Sequence, residues 1–491
     1  MKLEYKDFER ILKIGIRMST EKNRNRLLAS ILENGMGITH CDASTLYLYE
    51  NDQLTFKIMK TLSMGISRGV DGEPITDMPP VAMTEANVCA YTAIHREIVN
   101  IPDVYNTDRF DFAGPKKYDA LTGYHTQSLL VIPLENNEGE LLGVLQLINA
   151  IDEQGNVIPF DKQYEIIIRS LGSMAAIELT NLSYMEELKA QLHSFVEAFA
   201  TAVDERTPYN GTHTRKVAEY AGLLAEYIAK KHAAGECEED FDEERKEKLF
   251  LAAQLHDIGK MIIPLQVMNR ATRLDTDMER VENRFALLAS YYEIDRLSGR
   301  ITEEECSAKT ADLTAELQFI HEIDKLGFLD DEKLQHVKEL AEKRYTKADG
   351  TVIPYLSDQE TAYLSIRKGT LTAEDRKVME SHVVMTGKIL EKVRFQNRYE
   401  MVPKWAASHH EYLDGTGYPN HLAGDEIGIE TRMLTIADIY DAMTSVDRPY
   451  KKPLPREKTF AILRSMAEEG KLELRLVNWL EEALTEEEKK D

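Results

Sequence analysis

Hydrophobic and polar residues alternate along the first third of the chain and then change to a helical period. The stretch "ASTLYLYEND" alternates as a half-buried strand does, and Leu129–Leu134 and Leu141–Ile148 are strand patterns around a polar, glycine-containing hairpin. A helical pattern from Phe8 to Met36 precedes these strands, and another helix follows them. The order predicts an N-terminal α/β sensory domain over residues 1–180.

The region from Asp161 to Val203 contains no proline and predicts one long helix, with residues 181–194 as the linker between two domains. Its apolar residues lie close to heptad spacing, and Glu178 interrupts the pattern. These residues are Leu171, Ala175, Leu182, Met185, Leu192, Val196, Phe199 and Val203. Two interpretations stay open: the helix forms a parallel dimer seam that carries a signal, or it packs on its own domains.

From Phe195 onward the pattern is helical almost throughout, which predicts an all-α C-terminal domain over residues 195–485. Residues from about 272 to 367 form a polar, charge-rich helical block that contains an isolated His321 and none of the motifs described below. We predict that this block is an insertion. A single histidine on a helix is usually a surface or packing residue, so His321 is assigned no role.

The composition fits a multidomain globular protein: 491 residues, of which 43% are hydrophobic and 30% charged. A formal net charge of −25 argues against a nucleic-acid polymer or an anionic membrane as partner, because both attract clustered Lys and Arg. A small phosphorylated ligand needs only a few local cations. The four scattered cysteines form no CxxC and are expected to be free thiols in a reducing compartment. No apolar run approaches the roughly 18–20 residues of a spanning helix, and the start has no apolar signal core, so we expect a cytoplasmic protein without membrane insertion.

Seven side chains in the helical half are candidate metal ligands: His213, His256, Asp257, His382, His409, His410 and Asp438. Each lies beside an apolar or helix-forming segment, where an unpaired imidazole or carboxylate would be costly. Their nitrogen and oxygen atoms suit a borderline divalent ion such as Fe(II), Mn(II) or Zn(II). Any one of them alone is more often a hydrogen-bonded core residue. The adjacent His-Asp and His-His pairs, with two more histidines and an aspartate in one helical region, favour a metal site.

Two metal ions about 3.5–4 Å apart can share a bridging carboxylate and clamp the oxygens of a phosphodiester. Asp257, with a histidine beside it, is the natural bridge. No cysteine lies near these segments, so a thiolate zinc site is disfavoured. Neither GxxxxGK[ST] nor GxSxG occurs, so ATP-driven phosphoryl transfer and a serine-hydrolase elbow have no support.

The stretches "HDIGK", "HHEYLDGTGYP" and "ADIYDAMTSVDRPYKKP" resemble, in the same order, the motifs of the HD-GYP group of HD-superfamily phosphohydrolases. The resemblance covers about Phe195 to Ala271 and Gly369 to Trp479. It implies an all-α bundle with a two- or three-metal site of iron or manganese. It also implies a bacterial phosphodiesterase that hydrolyses cyclic di-GMP to a linear dinucleotide or on to GMP.

The resemblance further implies the roles of single residues. Asp257 would bridge two metal ions, of which one is also bound by His213, His256 and Asp438, and the other by His382 and His409. His410 is a ligand that is assigned to neither ion.

The substrate contacts follow from the same resemblance. Lys260, close to the catalytic Asp257, would contact the scissile phosphate, and Arg448 and Lys451 would hold the other phosphate. The loop that borders the substrate pocket contains Gly415, Gly417, Tyr418 and Pro419.

Two departures from the HD-GYP pattern affect these expectations. Members with a third metal carry a glutamate four residues before the first histidine ligand, and this chain has Tyr209 there, so we expect two ions. The stretch "MNRATRL" replaces a lysine-rich segment, and roughly 100 residues then precede the next histidine helix. This insertion leaves substrate identity and access open.

The N-terminal half is similar to GAF domains through "CDASTLYLYENDQLTFKI" and "SLLVIPLENNEGELLGVLQLINA". GAF domains bind cyclic nucleotides, tetrapyrroles or other small molecules, or only dimerise. The Asn-Lys-Phe-Asp-Glu signature of the cyclic-nucleotide class is poorly kept at Asn149 and Phe160, so the GAF ligand is unknown. Cys41 and Cys89 are candidate chromophore attachments, but we expect buried free thiols. A homodimer through the GAF domain and the linker helix is expected.

Three hypotheses follow for function. The first is a metal-dependent cyclic di-GMP phosphodiesterase regulated by the GAF domain. The second is a phosphohydrolase for another nucleotide, such as a mixed cyclic dinucleotide, which the unusual insertion motivates. The third is a non-catalytic nucleotide receptor, which ranks last because every expected ligand is present.

Overall fold

The alternating residues of the N-terminal third form an antiparallel sheet in the order β3-β2-β1-β7-β6-β5, with β4 paired to β2 and β8 paired to β7. The computed structural model describes residues 5–206, 211–395, 397–445 and 453–489. The eight strands are β1 Cys41–Glu50, β2 Gln53–Thr61, β3 Ile66–Arg68, β4 Val81–Ala82, β5 Val99–Ile101, β6 Leu129–Glu135, β7 Leu141–Ile151 and β8 Val157–Ile158. Both strands predicted around the polar hairpin are present as β6 and β7, and their register pairs Ile132 with Leu145.

Five helices accompany this sheet: α1 Tyr5–Thr20, α2 Arg24–Thr39, α3 Val88–His95, α4 Ala113–Thr122 and α5 Gln163–Asp204. The helical start is therefore two helices, because the chain breaks before Asn23, whose side chain accepts a hydrogen bond from the Arg26 N–H and begins α2. Apolar residues of α1, α2 and α5 cover one face of the sheet, and α3 with the following loops covers the other. The predicted α/β fold class is confirmed.

The chain divides into two compact units, residues 1–191 and 192–491, and the boundary falls inside α5. The single long helix that the sequence predicts is thus present. Leu171 and Ala175 are buried in the N-terminal core, and Val196 and Val203 are buried in the C-terminal core. Leu182 and Leu192 are half-buried against the same two cores.

Six of the eight predicted seam residues therefore pack on their own domains, whereas Met185 and Phe199 are exposed. These two residues belong to an exposed row of α5 whose spacings fit heptad a and d positions. We call it the α5 stripe: Met174, Met185, Leu188, Phe195 and Phe199, which are 38–66% exposed. The stripe is exposed because the sheet domain and the helical bundle each cover the neighbouring apolar face of α5 and leave this row uncovered.

The C-terminal unit is helical, as predicted. Its helices are α6 His213–Ala233, α7 Glu243–Leu255, α8 Leu265–Met268, α9 Met278–Leu297, α10 Glu303–Asp324, α11 Asp331–Glu342, α12 Asp358–Leu364, α13 Ala373–Leu390, α14 Val402–Ala406, α15 Ile429–Thr444, α16 Arg456–Glu468 and α17 Leu474–Glu487. Short 3-10 helices lie at Ile258–Ile262, Asp275–Asp277, Asn397–Tyr399 and Gly424–Glu426. The main core lies between α5, α6, α7, α14, α15, α16 and α17.

The predicted insertion has a core of its own, which extends from Leu274 to Leu364 and is separate from the bundle core. Its two ends meet at Arg273, which is fully buried and donates hydrogen bonds to the carbonyls of Ile323 at 2.7 Å and Ile366 at 3.0 Å. It is not purely helical, because β9 Arg344–Thr346 and β10 Val352–Pro354 form a hairpin around Gly350. His321 lies 3.2 Å from the surface glutamate Glu282.

None of the helices in the described part of the chain combines the length and the apolar character that crossing a membrane requires.

Candidate metal centre

Five separate segments of the C-terminal unit bring the seven predicted ligands together. His213 is the first residue of α6, His256 and Asp257 follow α7, and His382 lies inside α13. The remaining members follow α14 or lie in α15, and they are His409, His410 and Asp438. All are buried except His410, which is half-buried. Residues up to about 225 positions apart in the sequence thus share one dry site.

Asp257 lies between two groups of histidines. Its Oδ2 is 3.3 Å from Nε2 of His213 and 3.2 Å from Nε2 of His256. Its Oδ1 is 3.4 Å from Nε2 of His382 and 3.9 Å from Nε2 of His409. Each carboxylate oxygen therefore faces a different side, which is the arrangement that a bridging ligand requires.

Asp438 completes the first group and borders the second. Its Oδ1 is 3.3 Å from Nε2 of His213 and 4.0 Å from Nε2 of His256, and its Oδ2 is 3.8 Å from Nδ1 of His410. Ligand atoms of three sets lie within 4.8 Å of one another: His213 with His256 and Asp438, His382 with His409 and His410, and His256 with Asp257 and His409. His410 thus lies with the second group, a placement that the sequence left open.

The outward nitrogen of four histidines is fixed by a hydrogen bond. Nδ1 of His256 lies 2.7 Å from the Ala253 carbonyl oxygen, and Nδ1 of His382 lies 2.6 Å from that of Met379. Nδ1 of His409 lies 2.7 Å from the Ala406 carbonyl oxygen. A carbonyl only accepts, so Nδ1 carries the hydrogen and Nε2 keeps its lone pair. In His213, Nδ1 lies 2.7 Å from Oδ2 of the buried Asp441. Such outer partners orient metal-binding histidines.

The inward atoms have no such partner. Nε2 of His213, His256, His382 and His409, and Oδ1 of Asp257, are buried and make no hydrogen bond with any of the described residues. Buried polar atoms are nearly always hydrogen-bonded, since leaving one unpaired costs about 1–3 kcal/mol. Five such atoms that converge on one point, all of ligand type, fit divalent cations.

The two buried aspartates of the site have lowered pKa values, which favours the binding of cations. Burial opposes the charge of Asp257, but the positive charges of Lys260 and the neighbouring histidines outweigh it and hold its pKa well below the usual value. The pKa of Asp438 is lowered well below its usual value in the same way, against burial and through its contacts with His213 and His410. Both groups are therefore carboxylates at neutral pH.

The histidines divide into two kinds. Burial lowers the pKa of His382 to about 4 and, helped by the neighbouring imidazoles, lowers the pKa of His409 well below its usual value. Both rings are neutral at pH 7 and can donate a lone pair. For His213, burial acts in the same direction, but Asp257, Asp438 and Asp441 outweigh it and raise its pKa well above the usual value. A metal ion must displace that proton.

A close backbone approach holds the His-Asp turn against α13. A Cβ atom at Gly259 would lie 1.9 Å from the carbonyl oxygen of His382 and 2.6 Å from the amide nitrogen of Thr386. The Thr386 Oγ1 accepts the Gly259 N–H at 3.0 Å and donates to the His256 carbonyl at 2.9 Å. Only glycine permits this contact, which sets the distance between His256 and His382.

Lys260 lies at the site, with its Nζ 2.5 Å from Oδ2 of Asp257. This oxygen also faces His213 and His256, so the ammonium neutralises the carboxylate from the same side as the first histidine group. Its predicted contact with a scissile phosphate stays a prediction. Arg448 and Lys451, the other predicted phosphate contacts, and Tyr209 lie outside the described residues.

The Gly-Tyr-Pro loop is fixed against the histidine pair. A Cβ atom at Gly417 would lie 2.6 Å from the carbonyl oxygen of His410, and the N–H of Tyr418 donates to that carbonyl at 3.2 Å. The Tyr418 ring lies 4.9 Å from the His410 ring, and a cis peptide bond joins it to Pro419. The buried Glu411 accepts the backbone N–H groups at positions 420 and 422.

Three residues at the site were missed from the sequence: Asp441, Thr386 and Glu411. Asp441 follows Asp438 by three positions in "ADIYDAM", so both carboxylates lie on one face of α15, and this spacing could have identified it. Thr386 lies four positions after His382 in the same way. Glu411 carries no local signal, since its partners lie across a loop.

The N-terminal unit has no comparable set of ligand groups among the described residues. Its cysteines are free, as predicted, and burial raises the pKa of Cys41 to about 11 and of Cys89 to about 12. Buried, protonated thiols do not attack a chromophore. Asn149 is used structurally: its Oδ1 accepts the N–H groups of Gln127 at 2.7 Å and Ser128 at 3.2 Å.

Comparison with known families agrees with this division. Residues 23–179 match the GAF domain family, and residues 210–329 and 359–475 match two families that are both described as HD domains. The first HD match extends into the segment predicted as the insertion. The chain contains a GAF domain followed by an HD domain, as predicted.

Curated relatives share the HD half. A 3'3'-cGAMP-specific phosphodiesterase 3 of Vibrio cholerae is 39% identical over 97 residues, 20% of this chain and 20% of the relative. A cyclic di-GMP phosphodiesterase of Thermotoga maritima is 30% identical over 179 residues, 36% of this chain and 38% of the relative. The cyclic di-GMP phosphodiesterase response regulator RpfG of Xanthomonas campestris is 36% identical over 108 residues, 22% of this chain and 27% of the relative. The matches cover well under half the length of these relatives.

Proposed function

We propose that this protein is a metal-dependent phosphodiesterase that hydrolyses a cyclic dinucleotide and is regulated by its GAF domain. The observation that carries the proposal is the convergence of five buried ligand atoms without hydrogen-bond partners among the described residues, around a carboxylate whose two oxygens face different histidine groups. The names of the relatives support a cyclic dinucleotide as the substrate class.

Two divalent ions fit this donor set, and iron or manganese suits its imidazoles and carboxylates. His213, His256 and Asp438 would hold one ion, His382, His409 and His410 the other, and Asp257 would contact both. When bound, the ions would activate water for attack on phosphorus and offset the charge of the phosphodiester oxygens.

The chain's own residues would orient the substrate. The Lys260 ammonium, which is paired with Asp257 Oδ2, would move to a phosphate oxygen and stabilise the charge that develops there. Arg448 and Lys451 would hold the second phosphate, and Gly417, Tyr418 and Pro419 would border the pocket beside His410. The product would be a linear dinucleotide, GMP or both.

Two substrates are favoured, cyclic di-GMP and 3'3'-cGAMP, because relatives with each of these names are similar to this chain. They differ in one base, and the metal centre acts on the phosphodiester that both share. Base selection therefore depends on residues at the edge of the site.

We also propose that the protein is a homodimer through the α5 stripe. The stripe is an exposed apolar row on a continuous helix of 42 residues, and its a and d spacing makes it self-complementary about a two-fold axis parallel to the helix. A second copy of the chain fits this row better than a different partner, because one helix presents the same heptad face to its own copy.

The test is anaerobic incubation of Mn(II)- or Fe(II)-loaded protein with each dinucleotide, with products separated by chromatography. The wild-type protein should yield linear dinucleotide or GMP, and Asp257→Ala should yield neither, because both ligand sets lose their shared oxygens. Product from that variant would overturn the proposed site. Tight nucleotide binding without product in metal-loaded wild-type protein would favour the receptor hypothesis.

A further inference from the structure

The end of α5 holds the helix that carries His213. Asp204, the last residue of α5, is buried, and its Oδ1 accepts a hydrogen bond of 2.7 Å from Oγ1 of Thr214. Thr214 is also buried and follows His213 directly in the first turn of α6. A displacement of Asp204 therefore acts on the helical turn whose first residue is the His213 ligand.

Arg206, two residues further along, holds the second segment of the metal centre. Its Nη1 donates to the carbonyl of Lys260 at 3.0 Å, and its Nη2 donates to the carbonyl of Ile263 at 2.9 Å. The planar guanidinium fixes both position and orientation of the backbone that it binds through two nitrogens. These carbonyls belong to the turn that follows Asp257 and contains Lys260.

Packing prevents the end of α5 from moving alone. Val196 and Val203 are buried in the bundle core, and Ala200 between them is buried as well, all within the last three turns of the helix. Well-packed interfaces shift between discrete arrangements and do not deform gradually. The same helix α5 joins residues 1–191 to the bundle. A change in its position is therefore transmitted to the metal ligands through the hydrogen bonds of Asp204 and Arg206.

We propose that Asp204 and Arg206 are positioning residues that together set the separation between His213 and the turn from Asp257 to Lys260. They are the point at which a displacement of α5 reaches the metal ligands, and so the route of regulation. The consequence for turnover rests on the proposed function. The consequence for metal affinity does not.

The experiment uses the full-length protein and two readouts. Mn(II) affinity is measured by titration without nucleotide, and kcat and KM are measured separately. Arg206→Ala and Asp204→Ala should each weaken Mn(II) affinity about tenfold, the lower end of what loss of an outer contact costs a metal site. They should lower kcat and leave KM unchanged, because the reacting geometry changes and the outer substrate contacts do not.

Conservative variants separate positioning from general stability. Asp204→Asn keeps an oxygen that accepts from Thr214 and should retain wild-type affinity, whereas Thr214→Val removes the donor at nearly constant volume and should match Asp204→Ala. Arg280→Ala, at an arginine whose side chain is 76% exposed, is the surface control and should change neither readout.

A lowered melting temperature with wild-type Mn(II) affinity and kcat in Arg206→Ala and Thr214→Val would overturn the proposal, because a purely structural anchor would act in this way. If the wild-type protein binds Mn(II) but hydrolyses no cyclic dinucleotide, the proposed function fails, and the Mn(II) titration still decides the positioning role.

Discussion

Each buried histidine at the centre has two nitrogens with different tasks. The Nδ1 atoms of His256, His382 and His409 face a carbonyl three residues earlier, which leaves every Nε2 pointed at Asp257. The carbonyl partner is local, so the backbone alone orients these rings. His213 differs, because its partner Asp441 comes from another helix.

Asp441→Asn tests this outer carboxylate. The amide removes the negative charge that supports the Nδ1–H form of His213, so metal affinity should fall about 10–100-fold while the helices persist. Isothermal titration with Mn(II) measures the affinity, and circular dichroism checks the fold. Asp71→Asn, at an exposed aspartate of the N-terminal unit, is the matched control. Unchanged affinity in Asp441→Asn would mean that the carboxylate has no part in metal binding.

Metal loading should depend on pH in a defined direction. His213 has a raised pKa without metal, since Asp257, Asp438 and Asp441 outweigh the effect of burial, so it is protonated at neutral pH. The ion needs the neutral ring and displaces one proton. Apparent affinity should therefore rise about tenfold per pH unit while the metal-free His213 is protonated, and level off above its raised pKa.

The same proton stabilises the metal-free fold below the unfolded pKa of histidine, and this stabilisation is lost as the pH rises through the raised folded value. An Mn(II) affinity that is constant or falls over this pH range would contradict the proton displacement. Competition titrations at several pH values provide the measurement.

At the residue scale, the sequence was enough to select seven residues that the fold brings together, because they occur as adjacent pairs or beside apolar helices. It was not enough for Asp441, whose role depends on α15 packing across α6. It also left His410 without a group, because only the fold shows that its ring lies with His382 and His409.

At the scale of elements, contact between the His-Asp turn and α13 decides the geometry. Gly259→Ala would force a Cβ into the His382 carbonyl, so the free energy of unfolding should fall by about 1–3 kcal/mol and metal affinity should fall with it. Denaturant unfolding and metal titration measure the two effects.

Gly222→Ala is the matched substitution for this test. Gly222 lies inside α6, and a Cβ atom there would meet nothing within 4 Å. Replacement should stabilise the helix by about 0.5–1 kcal/mol through its lower conformational entropy. Equal effects of the two substitutions would show that the close approach at Gly259 does not matter.

The elements themselves were predictable to different degrees. The stretch from Asp161 to Val203 contains no proline, so α5 was found at nearly its observed length. Which apolar face remains exposed was not predictable, because that depends on the sheet and the bundle that cover the other one. The hairpin of β9 and β10 was hidden in a charge-rich helical block, although Gly350 marks its turn.

At the scale of the whole molecule, the α5 stripe predicts a dimer that a single charge should break. Leu188→Glu would place a carboxylate in the seam of both copies and should give a monomer by light scattering at micromolar concentration. Ala190→Glu, on the opposite exposed side of the same helix, should leave the dimer intact. A monomeric wild-type protein, or a dimer that survives Leu188→Glu, would contradict the stripe as the interface.

The whole chain joins a GAF domain, a long helix and a helical HD bundle, and the sequence predicted this order because each part has its own hydrophobic period. The insertion at about 272–367 stays a prediction, and its separate core was not foreseen.

The most direct test of the metal centre is the metal content of protein purified and loaded without oxygen, measured per chain by mass spectrometry of the elements. Wild-type protein should hold about two Mn(II) or Fe(II) ions, as a carboxylate-bridged pair requires. Asp257→Ala should lose both ions and remain folded. Absence of stoichiometric metal in the wild type, or two ions retained by Asp257→Ala, would contradict a bridged two-metal centre.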